Sequence, residues 1–464
     1  MANARYDNSF NHSVYSIPIM DLDSLKQITQ DVLKLAKTAG ASAAETETSF
    51  GTGQNVSVRL GETENIEYNR DKGVSVTVYF GQQKGNASTS DLSPQALKDT
   101  VDAACNIAKF TAKDAFCGLA DAALMATDIP DLDLNYPWHI SVDEAIEVAK
   151  RCEAAALAVD KKRITNSEGA GISTSDGVFA YANSHGFIGG YASTRHSISC
   201  SVIAEEKTAQ GDAMQRDYWY TSARDYADME TAEYVGKLAG ERTIRRLGAR
   251  PMQTGNYPVL FEAPLASGLI SSLISAISGG SLYRKSSFLL DSLGKPIASS
   301  LLNIEELPHL KKGNASSPFD SEGVATKSRK LVENGMLQGY VLSSYSARKL
   351  GMQTTGNAGG SHNLVVQSTG QDFAELLKHM GTGLLVTEVL GHGLNMVTGD
   401  YSRGAAGFWV ENGVITYPVE EITIAGNMVD MLKNIIAVGN DINKNSSKQT
   451  GSILIEKMTV AASE

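Results

Sequence analysis

The chain has 464 residues, of which 42% are hydrophobic and 20% charged, and its formal net charge is −11. This composition is typical of a globular protein, and the length is sufficient for two or three domains. The acidic balance disfavours contact with nucleic-acid phosphates, and no apolar run is long enough to cross a membrane. Residues 1–22 have no basic segment followed by an apolar one, so we expect no secretory signal and a cytoplasmic location.

The N-terminal residues predict a helix followed by a group of strands. Apolar residues recur on one helical face over 23–38, and they alternate with polar residues around 56–60 and 74–80. The Asp-Lys-Gly sequence at 71–73 predicts the turn between these two strands.

The same order of elements is predicted a second time further along the chain. Ser93 and Pro94 predict the start of a helix, because serine is a common N-cap and proline suits the first helical position. Ser141 and Glu144 form a capping box at the start of another helix, and a strand-rich region over 163–206 follows. Helix, strands and helix therefore occur twice, which suggests a duplicated unit.

Arg250-Pro251 predicts a domain boundary. We predict an irregular N-terminal tail over 1–22, an N-terminal domain over 23–250, and a Gly-rich, strand-rich C-terminal domain over 251–464. Strands and helices occur without strict βαβ alternation, so we predict a two-domain α+β fold rather than a doubly wound sheet.

The C-terminal half contains two turn signals and one unusual helix. Asn-Gly at 334–335 and at 412–413, each between alternating apolar residues, predicts two β-hairpins. The predicted helix over 264–278 has no charged residue, and it carries one leucine-rich stripe and one serine-rich stripe. A helix of this kind is buried or packs closely on another element.

The histidines do not form a local zinc motif. None of the eight is followed by Glu, and no two lie three to five residues apart. Glu388 and His392, with Asp400 nearby, are the best remaining metal-ligand candidates. The segment 384–390 predicts a buried strand, which disfavours the shared helical face that such a pair would need. We interpret both residues as structural or surface residues, and a site assembled from distant residues stays open.

Two Gly-rich segments are candidates for a substrate or partner cleft, because glycine lets a backbone approach a peptide closely. One covers 356–363 and the other 400–407. The alternatives are a flexible surface loop for the first segment, and charge pairing within the second or with neighbouring loops. The candidate cleft residues are Gly359, Gly360, His362, Asp400 and Arg403.

Several segments resemble the PmbA/TldE proteins of the TldD/PmbA peptidase family, and the resemblance covers nearly the whole chain. The longest of them is 399–427, which reads GDYSRGAAGFWVENGVITYPVEEITIAGN. The others include 88–93, 183–187, 215–220, 278–294, 318–323 and 343–351.

This resemblance implies a cytoplasmic bacterial protein in a two-subunit peptidase system. The family is linked to modulation of DNA gyrase, maturation of a microcin peptide and degradation of an antitoxin. The zinc motif of the TldD subunit has the form HExxxH, and its helix would correspond to 264–278 here, where Ser, Leu, Ala and Gly replace the ligands. The resemblance thus implies a metal-free subunit with no catalytic residue of its own, which pairs with a zinc-bearing TldD-like paralogue around unfolded peptides.

Two other functions stay open at this point, and so does the question of whether this chain is itself an enzyme. The first is a regulatory protein that binds gyrase or an RNA-binding regulator and has no peptidase role. The second is a self-sufficient metallopeptidase with a non-contiguous site that uses Glu388 and His392. The chain alone could also form a homodimer.

Overall fold

A computed structural model describes residues 20–208 and 211–462. Helices and strands occur in groups rather than in strict alternation, which confirms the predicted α+β class. Most of the predicted tail over 1–22 lies outside the described residues. In the part of the chain that is described, no helix is both long enough and apolar enough to span a bilayer.

The first half of the chain has the order helix, three strands, helix, and this order occurs twice. The first set is α1 (Leu22–Thr38), β1 (Ala43–Arg59), β2 (Glu62–Phe80), β3 (Gln83–Thr89) and α2 (Pro94–Phe110). The second set is α3 (Val142–Ala158), β4 (Ile164–Asn183), β5 (Ile188–Thr208), β6 (Gly211–Ala223) and α4 (Ala232–Arg245). A shared order alone does not establish duplication, which stays a prediction.

The six strands form one antiparallel sheet in the order β3-β2-β1-β4-β5-β6. Alternate apolar residues of β1 and β2 pack with α1 and α2 over one half of the sheet. Those of β4 and β5 pack with α3 and α4 over the other half. All four helices therefore cover the same face, and the opposite, helix-free face is directed at the C-terminal half.

The predicted helix starts are confirmed, because each depends on local contacts. The Ser93 hydroxyl accepts a hydrogen bond from the Ala96 amide, 3.4 Å away. Ser141 and Glu144 cap each other: the Glu144 amide donates to the Ser141 hydroxyl at 3.2 Å, and the Ser141 amide donates to Glu144 Oε2 at 2.9 Å.

The predicted turn at 71–73 is wrong. These residues lie inside β2, and the chain reverses instead at Leu60 and Gly61, whose φ angles are 51° and 79°. Residues 62–72 are exposed. This part of the strand therefore has no buried face and no apolar alternation by which the sequence could reveal it.

The C-terminal half begins with β7 (Gly255–Phe261), α5 (Ala263–Ala276), α6 (Gly279–Tyr283), β8 (Ile304–Glu306), β9 (Arg329–Glu333), β10 (Met336–Leu337) and α7 (Ser344–Lys349). It continues with β11 (Leu364–Val366), α8 (Phe373–Met380), β12 (Gly383–Leu390), β13 (Asp400–Glu411) and β14 (Val414–Asn427). The last elements are α9 (Met428–Lys433), β15 (Ile435–Val438), β16 (Lys448–Gln449) and β17 (Ile453–Ala462).

These strands form two further sheets, in the orders β10-β9-β8-β11-β16 and β14-β13-β12-β7-β17-β15. An additional pairing of β14 with β17 closes five strands of the last sheet into a ring. Both predicted hairpins are confirmed: Asn334-Gly335 joins β9 to β10, and Asn412-Gly413 joins β13 to β14. Their four φ angles are positive, between 49° and 78°, as this tight turn requires.

The uncharged helix α5 lies in the main core of the C-terminal half. Leu269, Ile270 and Leu273 are buried and pack with apolar residues of β7, β12 and β17. The strand predicted over 384–390 is confirmed as β12, but it is buried only as far as Val386, and Leu390 at its end is exposed. The apolar face of the helix to which the resemblance assigns the position of a zinc motif is therefore packed into the C-terminal half, whereas Gly268 and Ser275 are exposed.

Candidate functional site

Two cavities lie between the helix-free face of the N-terminal sheet and the C-terminal half. The first, here called the aromatic–acidic cavity, has a volume of about 350 Å³. The sheet contributes one group of lining residues: Glu47, Phe179, Tyr181 and Tyr191. The C-terminal half contributes two loop segments, which are residues 315–321 except Pro318, and residues 358–362.

Strand register brings the sheet residues of this cavity together. Glu47 on β1 is opposite Tyr181 on β4, and Phe179 on β4 is opposite Tyr191 on β5. Residues opposite each other on neighbouring strands share a face, so all four side chains lie on the helix-free side. The Phe179 and Tyr191 rings meet edge to face, with centroids 4.7 Å apart, and Phe319 packs 5.9 Å from Tyr191.

Asp320 fixes the two C-terminal loops to each other. Its side chain is only 3% exposed, and it accepts backbone hydrogen bonds from Glu322 at 2.9 Å, Val324 at 3.0 Å and Ala358 at 2.9 Å. The first two bonds shape its own loop, and the third connects that loop to the Gly-rich segment. Burial nevertheless raises the pKa of Asp320 to about 6, because removal of water disfavours the charged form.

Three of the predicted cleft residues, Gly359, Gly360 and His362, line this cavity. Gly359 has a φ of 97°, and a Cβ atom added there would lie 2.6 Å from the Ser321 hydroxyl oxygen. The His362 amide donates to Glu306 Oε1 at 2.8 Å, and its ring Nε2 donates to the Gly356 carbonyl at 3.0 Å. The structure therefore holds these residues in a defined loop at the cavity wall.

Carboxyl groups dominate the electrostatics of this cavity. Burial raises the pKa of Glu45, which lies beside the cavity, although the hydroxyls of Tyr79 and Tyr181 donate to it at 2.7 Å and 2.8 Å. Glu47 on the cavity wall is exposed, but the surrounding protein removes part of its water, and this loss of water raises its pKa. Of the described residues that line the cavity, none is lysine or arginine. The local potential is therefore negative.

The second cavity, here called the arginine–carboxylate cavity, has a volume of about 600 Å³ on the same face of the sheet. Small residues on the sheet side include Ser57, Gly171 and Ser199. Charged residues form the rest of the wall, and the C-terminal half supplies Thr387 and Glu388. The charged lining residues are Glu168, Arg216, Asp217, Arg246 and Glu388.

A largely buried ion-pair network connects the two halves of the chain beside this cavity. Arg242 on α4 holds Glu262 with two hydrogen bonds of 2.8 Å and 3.1 Å, and its Nε lies 3.4 Å from Asp217 on β6. Arg246, one turn further, pairs with Glu388 on β12 and lies 3.8 Å from Asp217. Because the five side chains of this network are largely buried, each charge depends on the others.

The candidate metal ligands Glu388 and His392 are not brought into one site. The Glu388 carboxylate pairs with Arg246, and His392 lies exposed in the turn beyond the end of β12. Over 20–208 and 211–462, no group of three or more His, Cys, Asp or Glu side chains could hold a metal ion. The described residues thus offer no donor set that fits a catalytic zinc ion.

The side chains of α5 explain why the helix itself offers no ligand. The hydroxyls of Ser267, Ser271 and Ser275 donate to the carbonyls of Pro264, Ser267 and Ser271, at 2.7, 2.9 and 2.9 Å. The Ser272 hydroxyl donates to the Gly268 carbonyl at 3.0 Å, and the remaining side chains of the helix are apolar or absent. Zinc is held by thiolate, imidazole or carboxylate, and this helix carries none of them.

Asp400 and Arg403 do not pair with each other and line neither of these two cavities. Asp400 accepts hydrogen bonds from the Thr398 hydroxyl at 2.6 Å and from the side-chain Nδ2 of Asn427 at 3.2 Å. Arg403 donates to the backbone carbonyls of Leu390 and Gly391. Both residues therefore bond to neighbouring segments, and their role in a substrate or partner cleft stays a prediction.

The sequence interpretation missed the sheet side of the aromatic–acidic cavity. Glu47, Phe179 and Tyr191 are far apart in the chain, and none stands in a segment that the sequence analysis singled out as a candidate site. One local signal was available: in Glu45-Thr-Glu47, two carboxylates separated by one residue must share a strand face. Which of the lining residues contact a substrate is not evident from such a pattern.

The whole fold is shared with solved structures. A protein from Bacteroides thetaiotaomicron, described as a putative modulator of DNA gyrase, is 30% identical, with a TM-score of 0.90, over 96% of this chain and 100% of its own. TldE from Thermococcus kodakarensis has a TM-score of 0.82 over 94% of this chain and 100% of its own. At 19% identity, that second likeness concerns the fold alone.

Sequence comparison gives the family. Three family models match: PmbA/TldA metallopeptidase domain 1 over 49–108, the central domain over 135–247 and the C-terminal domain over 254–462. The metalloprotease PmbA of Escherichia coli O157:H7 is 53% identical over 94% of this chain and 96% of its own length. The chain belongs to the PmbA/TldD family of metallopeptidases.

Proposed function

We propose that this chain is the metal-free subunit of a TldD/TldE-type metallopeptidase complex that acts on unfolded peptides in the cytoplasm. The observation that carries this proposal is the donor set of α5, whose polar side chains are hydroxyls bonded to the helix backbone. A metallopeptidase needs a metal ion to activate water. The activity of the complex then depends on a zinc-bearing, TldD-like paralogue.

In this proposal, the chain supplies surface that holds the substrate. The helix-free sheet face carries small residues at Ser57, Gly171 and Ser199, and the aromatic–acidic cavity lies on the same face. An extended peptide can lie along such a face with side chains in the cavities, whose volumes of about 600 and 350 Å³ suit side chains rather than a folded domain. This supports unfolded peptides as the substrate class.

The test is reconstitution. The purified chain alone should not hydrolyse a fluorogenic unfolded peptide, and addition of the zinc-bearing paralogue should produce hydrolysis that a chelator abolishes. A paralogue with its zinc ligands substituted is the matched control and should give no activity with this chain. Chelator-sensitive hydrolysis by this chain alone would contradict the proposal.

The same assay addresses a self-sufficient enzyme. His392→Ala should leave the activity of the reconstituted complex unchanged, because His392 is exposed and contributes to no group that could hold a metal. A loss of hydrolysis in this variant, with normal assembly, would favour the non-contiguous site instead.

A second candidate function is a regulatory protein that binds gyrase or an RNA-binding regulator. The gyrase-modulator description of the solved relative and the net charge of −11, which suits a basic protein partner, favour it. Affinity capture with this chain should then recover such a target and no paralogous peptidase. Recovery of the paralogue in equal amount supports the peptidase complex.

A further inference from the structure

The aromatic–acidic cavity contains a carboxylate that has no partner. The Glu47 side chain makes no hydrogen bond or ion pair within the described residues, and it is exposed at the wall of the cavity. The other carboxyls of the region are engaged: Glu45 by two tyrosine hydroxyls, and Asp320 by three backbone amides. Glu47 is therefore the group that is free to receive a ligand.

Aromatic rings lie on the same wall as this carboxylate. Tyr181 is directly opposite Glu47 in the sheet, and Tyr191 lies one strand further. The Tyr191 hydroxyl is fixed by a hydrogen bond of 3.0 Å to Ser317 Oγ, and its ring packs against Phe179 and Phe319. Fixed rings beside a carboxylate favour cations, because the face of an aromatic ring attracts positive charge.

No lysine or arginine side chain of the described residues occupies the cavity. The lining residues include neither lysine nor arginine, and a volume of about 350 Å³ is sufficient for a long side chain or a chain terminus. Hydroxyls of Ser321 and Ser361 add acceptors to the carboxylate. An ammonium group has three donors and needs acceptors of this kind.

We propose that the aromatic–acidic cavity binds an ammonium group of the substrate peptide, with Glu47 as its counter-ion. A lysine side chain and a free amino terminus both supply this group. The inference rests on the proposed function, because it takes a peptide as the ligand. The inference adds a substrate class to that function, because the chain would bind positively charged peptides preferentially. This subunit would make the selection before any hydrolysis occurs.

The test is calorimetric titration of the isolated full chain with three pentapeptides at pH 7.5. Two are capped at both ends and carry lysine or norleucine in the centre, and the third is the norleucine peptide with a free amino terminus. At least one cationic peptide should bind about ten-fold more tightly than the neutral one, since carboxylate and ring contacts together supply that much. The peptide that does so identifies the source of the ammonium group.

Glu47→Gln should remove this preference and leave binding of the neutral peptide unchanged. The substitution is isosteric at an exposed position without partners, so the fold should be retained. Glu67→Gln is the matched control: Glu67 is an exposed carboxylate of the same sheet on β2, outside the cavity, and its loss should preserve the preference. Equal binding of all three peptides, or a preference that survives Glu47→Gln, would overturn the inference.

Failure of this inference and failure of the proposed function are separable. Titration uses the isolated chain and needs no hydrolysis, whereas reconstitution measures hydrolysis of a peptide and needs the paralogue. If the complex is active but Glu47→Gln changes no preference, the cavity inference fails and the proposed function stands. If the preference holds but the paralogue gives no hydrolysis, the cavity is a cation site and the proposed function fails.

Discussion

Single residues connect the loops that form the aromatic–acidic cavity, and Asp320 is the clearest case. Its carboxylate is almost fully buried between two loops and accepts three backbone hydrogen bonds. Burial still raises its pKa to about 6, so the folded protein retains a proton there that the unfolded chain releases near pH 4. Loop geometry and proton binding are therefore coupled at this residue.

This coupling predicts that the free energy of unfolding of the wild type, compared with that of Asp320→Asn, depends on pH. The stability that Asp320 contributes is complete below about pH 4 and is lost as the pH rises through about 6, because the buried carboxyl must then ionise. The free energy of unfolding of the wild type should fall by up to about 3 kcal/mol relative to the variant between pH 4 and 7. Urea unfolding across this range measures it, and a difference that is independent of pH would contradict it.

Backbone conformation predicts that alanine substitutions at two glycines change the free energy of unfolding in opposite directions. Gly359→Ala should lower the free energy of unfolding by about 1–2 kcal/mol, because its φ is 97° and the new Cβ would meet Ser321 Oγ. Gly268→Ala is the control: Gly268 lies within α5 with open space around the new Cβ, and alanine should stabilise that helix by up to about 1 kcal/mol. Equal effects in thermal unfolding would refute the assigned loop geometry.

At the scale of elements, the main connection between the two halves beside the arginine–carboxylate cavity is the ion-pair network of α4. Arg242 and Arg246 are 11% and 14% exposed, and they bring Asp217, Glu262 and Glu388 together from three different segments. Buried charges of this kind add little when paired but cost much when one partner is removed. The network therefore fixes how α4 meets β12.

Arg242→Ala should thus lower the free energy of unfolding by about 3–5 kcal/mol, because Glu262 would stay largely buried without its partner and Asp217 would keep only Arg246, 3.8 Å away. Arg151→Ala is the matched control, since Arg151 pairs with Glu233 where both side chains are more than half exposed, and it should cost less than about 1 kcal/mol. Chemical unfolding of both variants measures the difference. A similar loss of unfolding free energy in both variants would mean that the buried network contributes no more to stability than an exposed ion pair.

Elements with local signals were predictable from the sequence, and the others were not. The capping box at Ser141 and the Asn412-Gly413 turn depend on residues within four positions of each other. The course of β2 was missed because its exposed part has no buried face. The cavity combines Glu47, Tyr191 and His362, which lie on three separate segments, and only tertiary packing brings them together.

At the scale of the whole molecule, the N-terminal sheet and the C-terminal half form two walls with two cavities between them. The predicted division at 250–251 stays a prediction, although the family models for the central and C-terminal domains leave 248–253 between them. Helix α5 lies inside the C-terminal half and carries no metal ligand. The architecture thus combines two cavities on the helix-free face of the sheet with a helix α5 whose polar side chains are all hydroxyls.

Zinc content is therefore the most direct test of the proposal that this chain is the metal-free subunit of the complex. The purified chain, and its equimolar mixture with the zinc-bearing paralogue, would each be loaded with zinc, desalted and analysed by mass spectrometry for bound metal per chain. We expect the chain alone to retain far less than one zinc ion and the mixture to retain one per pair, all of it on the paralogue. One tightly held zinc ion on each copy of this chain alone would contradict the account.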